Sequence, residues 1–112
     1  MKFYHATALK NMNSIINDGV IHKGIDGCVY LTTNPLDALK FIYVRGIKEI
    51  AVFEVELKKK LVKESFDHSQ KFFQCRAYYY EDDIHNITGL STYDLNDLEN
   101  GVQQDEVYHK NS

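Results

Sequence analysis

The chain has 112 residues, so it reads as one domain, 1–112, long enough to bury a core without disulfide or metal staples. Its 44% hydrophobic and 26% charged residues are a globular composition. A net charge of −3, with only Arg45 and Arg76 as arginines, excludes a broad basic surface for nucleic acid.

No apolar run approaches the ~20 residues that cross a bilayer, so no membrane association is expected. Met1 leads straight into a polar–aromatic stretch with no signal-peptide pattern, and a cytoplasmic location follows as the expectation. Cys28 and Cys75 lack zinc-site spacing and are too few for a disulfide framework, so both read as buried free thiols.

Lys2 to Thr7 reads as an opening strand. Leu9, Met12, Ile15 and Ile16 recur at helical spacing, and Asp18-Gly19 stops that helix. A loop with two glycines follows, and Cys28 to Thr32 has the β-branched, apolar character of a strand. Thr33 or Asn34 can cap a second helix with Pro35 in its first turn and Asp37 near its positive end; Gly46 ends it. Ile50 to Leu57 is the clearest strand, with Phe53, Val55 and Leu57 on one face and Ile50, Val52, Glu54 and Glu56 on the other.

Phe72 to Tyr80 is the next strand, its alternation separating Ala77 and Tyr79 from Arg76, Tyr78 and Tyr80. After Ile84 the chain turns polar. Asp94 to Glu99 suits a short helix, and an acidic tail from about residue 102 is expected to fray.

Several residues can carry chemistry. In Tyr4-His5-Ala6-Thr7, a strand histidine can offer a ring nitrogen to a ligand beside the Thr7 hydroxyl; the alternative is a histidine satisfied by backbone. His68, beside Asp67, could be oriented for acid–base work, although a capping turn also explains that cluster. Tyr78 and Tyr80 beside Arg76 form a platform suited to stacking a flat ring. His22, His85 and His109 are scattered without metal spacing, so no metal is expected.

The order is His-x-Thr, a helix closed by Asp18-Gly19, a glycine loop, Gly27-Cys28-Val29-Tyr30-Leu31-Thr32, then a helix. It resembles the poly(ADP-ribose) polymerase-like branch of the ADP-ribosyltransferase superfamily over about the first 45 residues. It is also similar to the RNA 2′-phosphotransferase and DNA-targeting toxin branches.

The resemblance implies an α+β fold with a split, mixed sheet and flanking helices, and NAD as substrate. It places His5, Ala6, Thr7, Tyr30 and Phe41 around NAD: His5 on the ribose, Thr7 toward the adenosine, Tyr30 stacked on nicotinamide, and Phe41 as a second aromatic wall. Ala38 stands where the family often has a small hydroxyl residue.

The family's catalytic glutamate precedes an aliphatic–aromatic run in a late strand. Here the run is Ala77-Tyr78-Tyr79-Tyr80, preceded by Arg76 and followed by Glu81, so Glu81 is the candidate acid, with Glu54 another. Arg76 favours an anion such as phosphate at that point.

The expected function is transfer of ADP-ribose to a macromolecular acceptor, protein or nucleic acid. The small size suits a stand-alone effector such as a toxin or a phage countermeasure to host defence. Two alternatives stand beside it. One is an RNA 2′-phosphotransferase-like enzyme using Arg76 and His68 on phosphate. The other is a non-catalytic nucleotide- or protein-binding module.

Overall fold

The computed structural model describes residues 1–65 and 77–96, and residues 103–109 as a strand. Its strands are β1 (Lys2–Ala8), β2 (Val29–Thr32), β3 (Glu49–Glu56), β4 (Lys63–Ser65), β5 (Ala77–Tyr80), β6 (Ile87–Asp94) and β7 (Gln103–His109). Helix α1 (Met12–Asp18) follows β1 through a 3-10 turn, and α2 (Pro35–Tyr43) follows β2. The strands form one sheet in the order β4-β5-β2-β1-β3-β6-β7.

Strand β3 shows why this is a two-sided α+β domain. Ile50, Ala51, Val52, Phe53 and Val55 are all buried, so both of its faces need cover. Phe53 and Val55 point into a core with Phe3, Val29, Leu31, Ile21 and Ile84, against which Leu9, Met12 and Ile15 of the first helical segment pack. Ile50 and Val52 point the other way, into a core with Ala6, Tyr93 and the α2 residues Ala38, Leu39 and Ile42. Each large apolar side chain buried this way contributes about 1.5–3 kcal/mol.

Among the described residues the sheet is not mixed: every strand pairing is antiparallel. The chain re-enters the sheet at the end where β1 left it, so β2 runs opposite to β1. A parallel pair would need a crossover spanning the full strand. Strands β2 and β3 do run in one direction, but β1 lies between them. Helix α2 therefore crosses over β1 and covers the face that carries Tyr4 and Ala6.

Two segments differ from the sequence reading. Ile87–Asp94 is a full strand beside β3, and Gln103–His109 is a strand paired to it, in the stretch expected to fray. Both pair antiparallel onto the growing edge, which satisfies backbone groups that composition does not reveal. Of the proposed helix at Asp94–Glu99, Asp94 instead ends β6, Leu95 and Asn96 are not helical, and residues 97–99 lie outside the described residues. Among the described residues, no helix is long and apolar enough to cross a membrane.

Candidate ligand cleft

The site begins where the sheet comes apart. Strand β1 pairs with β3 along its whole length, from Lys2↔Glu56 to Ala8↔Ile50. With β2 it shares a single register pair, Tyr4↔Thr32. Past that pair the two strands diverge, and the His5 side chain reaches across: its Nδ1 lies 2.9 Å from the Tyr30 carbonyl oxygen. A carbonyl only accepts, so Nδ1 carries the proton and donates it. Burial lowers the His5 pKa below its usual value, with the bond to Tyr30 a smaller, opposing influence. The ring is therefore neutral near pH 7, and Nε2 is its unprotonated, accepting nitrogen.

Tyr30 is presented by the loop before it. Gly24 N–H donates to the Cys28 carbonyl and Gly27 N–H to the Gly24 carbonyl, each at 2.9 Å. Gly27 has φ of 81°, a conformation that a side chain would disfavour. Asp26 sits inside this turn. Its Oδ1 accepts from Cys28 N–H at 3.1 Å and its Oδ2 from the Tyr30 hydroxyl at 2.5 Å. The Tyr30 ring is held in this way although the residue is 36% exposed. The Tyr79 ring lies beside it, with centroids 6.5 Å apart.

The opposite wall is α2. Asn34 caps it, its side chain accepting from Leu36 N–H at 2.8 Å, and Pro35 occupies the first turn as its fixed φ favours. The buried Thr32 hydroxyl donates to the Asn34 carbonyl at 2.6 Å, tying the end of β2 to the start of the helix. Ala38, Phe41 and, past the helix end, Arg45 thereby face the parted strands across a cleft of ≈ 260 Å³.

His5, Ala6, Thr7, Tyr30 and Phe41, which come from three separate elements, all line this cleft. The Thr7 hydroxyl accepts from the Asn11 side chain at 2.9 Å. Tyr78 and Tyr80 point to the other face, where Tyr78 packs edge-on to Phe3 at 5.7 Å, so the structure does not bring them to the cleft. Glu81 is exposed, ion-paired with Lys63, and is not among the residues lining the cleft. Glu54 accepts from the Thr88 hydroxyl at 2.9 Å and pairs with Lys2 at 3.4 Å. Arg76, His68 and Cys75 lie outside the described residues.

Among the lining residues that escaped the sequence reading are Asp26, Cys28 as a wall residue, His22 and Arg45. His22 lies between Asp18 and Asp83 at 3.3 and 3.6 Å, and Lys23 N–H donates to Asp83 at 2.8 Å, which fixes the start of the loop. The Cys28 thiol is pushed above its usual pKa, first by burial and then by the Asp26 and Glu81 charges. For Asp26 the one available signal was its position four residues before Tyr30 in a Gly-Ile-Asp-Gly turn. Among the described residues, no group of His, Cys, Asp and Glu is arranged to hold a metal ion.

No protein-family model matches this chain, and neither a curated protein nor a solved structure matches it.

Proposed function

We propose that the cleft binds NAD and that the protein is an ADP-ribosyltransferase-like enzyme, transferring ADP-ribose to a protein or nucleic-acid acceptor. The observation that carries this reading is the meeting of His5, Tyr30 and Phe41 at the parting of β1 and β2. Two aromatic side chains there can flank the flat, cationic nicotinamide ring, which a π face attracts. A neutral imidazole whose Nδ1–H is already engaged presents Nε2 to accept a ribose hydroxyl. Arg45 offers a guanidinium to the diphosphate from the end of α2.

Calorimetric titration with NAD tests this. Binding is expected, and Tyr30→Ala should weaken it by about 1–3 kcal/mol, roughly 5- to 150-fold, the worth of one stacked ring. Tyr30 is partly exposed, so its loss should leave the thermal midpoint nearly unchanged. Absence of NAD binding by the wild-type protein would overturn the reading.

A further inference from the structure

Cleaving the bond between nicotinamide and ribose builds positive charge on the ribose, and a carboxylate near that carbon lowers the barrier. The late-strand position where the resemblance implies an acid holds Arg76 instead. We propose that Asp26, in the loop before Tyr30, is the carboxylate that faces the ribose. This rests on the NAD reading above.

The assignment follows from where the acids are. Asp26 is the only carboxylate among the described residues lining the cleft. The acids nearest to it in the fold do not line the cleft and have partners of their own. Glu81 is paired with Lys63, Glu54 with Thr88 and Lys2, Asp82 with Lys23 at 3.7 Å, and Asp83 with His22 and the Lys23 backbone. Asp26 is also oriented. Hydrogen bonds from Cys28 N–H and the Tyr30 hydroxyl hold one oxygen each, so the group is fixed at the end of the ring that would stack on nicotinamide. Nicotinamide stacked with its ring nitrogen toward that edge would bring the ribose beside the carboxylate.

In the simplest reaction, hydrolysis, the ribose C1′–nitrogen bond breaks and its electron pair leaves with neutral nicotinamide. The oxygen of a water molecule bonds to C1′, and the proton it sheds passes to Asp26 and then to solvent. The products are ADP-ribose, nicotinamide and one proton. With a macromolecular acceptor, its nucleophilic atom takes the place of the water oxygen.

The test measures nicotinamide release and NAD binding side by side for the wild type, Asp26→Asn, Tyr30→Phe and Glu81→Gln. Asp26→Asn keeps one acceptor, for Cys28 N–H, puts an amide N–H where the Tyr30 hydroxyl can accept it, and loses the charge. Its kcat should fall on the order of 100-fold while its NAD affinity stays within a few-fold. Tyr30→Phe loses the hydroxyl that Asp26 holds and keeps the charge. It should raise KM and lower kcat by less than tenfold.

Equal losses in Asp26→Asn and Tyr30→Phe would overturn the proposal, because Asp26 would then act only by holding the ring. So would a kcat lost in Glu81→Gln but kept in Asp26→Asn. Wild-type protein that binds NAD without releasing nicotinamide refutes this proposal alone; wild-type protein that does not bind NAD refutes the functional reading beneath it. Matching circular dichroism spectra establish that Asp26→Asn is folded.

Discussion

Replacing Asn34 by alanine isolates one interaction that builds the cleft wall. Asn34 has extended backbone angles, φ −137° and ψ 132°, and its side-chain oxygen accepts from Leu36 N–H at 2.8 Å. Alanine leaves that N–H without an intrahelical partner. Asn34 is exposed, so no packing is lost and the cost is the cap alone: about 1 kcal/mol, within a range of roughly 0.5–2. Helix α2 has nine residues, too few to hold helical structure by itself, and is kept by burial of Ala38, Leu39 and Ile42. The cost should therefore appear in global stability rather than as independent melting of the helix.

In a domain of this size about 1 kcal/mol lowers the thermal midpoint by about 4 °C. Urea titration is the assay. The midpoint should move to lower urea with the slope unchanged. Asn34→Asp keeps the acceptor and adds a negative charge at the positive end of the helix, so it should remain within a few tenths of a kcal/mol of wild type or exceed it. Equal destabilisation by Asp and Ala, or none by Ala, would refute the capping argument.

Two further outcomes follow from the same structure. Burial lowers the folded-state pKa of His5, while in the unfolded chain it sits near ~6.5. Below about pH 6.5 the unfolded state takes up a proton that the folded state resists, so stability falls on acidification until the folded pKa is also passed. His5→Gln should flatten that part of the stability–pH profile measured by urea titration; an unchanged slope would show that other groups cause it. Phe53 is 1% exposed in the core beneath α1, so Phe53→Ala should cost about 3–5 kcal/mol, read as a large fall in the urea midpoint. A loss under 1 kcal/mol would mean that the site collapses around the missing ring.

The elements legible in the sequence were those whose signals are local. Asn34-Pro35 announces α2 because a cap and a fixed φ act within one turn. Gly19, at φ of 69°, ends α1 for a similarly local reason. Strand β3 was legible from its alternation, with Phe53 and Val55 on one face and Ile50 and Val52 on the other. Strand β6 was not: Ile-Thr-Gly-Leu-Ser-Thr-Tyr-Asp mixes polar residues with a glycine, and register shifts break its alternation on both sides. Its burial comes from lying beside β3, which no window of sequence contains.

The tyrosines of β5 illustrate the same limit. Alternation separated Tyr79 from Tyr78 and Tyr80, but only the packing of α1 and α2 decides which face meets the cleft. Asp26 was missed because an Asp-Gly pair reads as turn chemistry, and its second task appears only when the loop folds back onto Tyr30.

The two sequence-level interpretations of His5, a histidine satisfied by backbone and a ligand-facing histidine, turn out to be one arrangement. Where β1 leaves β2, the carbonyl of Tyr30 loses the strand partner that regular pairing would give it. His5 Nδ1–H takes the place of that partner. This closes the exposed sheet edge inside the molecule and lets the strands stay parted. It also fixes the tautomer, which makes Nε2 the accepting nitrogen. A serine at position 5 would be too short to span the gap, and a lysine would bring a buried charge and no acceptor. The residue that permits the cleft to exist is thus the one chemically equipped to read a hydroxyl placed in it, so loss of His5 should loosen the β1–β2 junction and weaken ligand binding together.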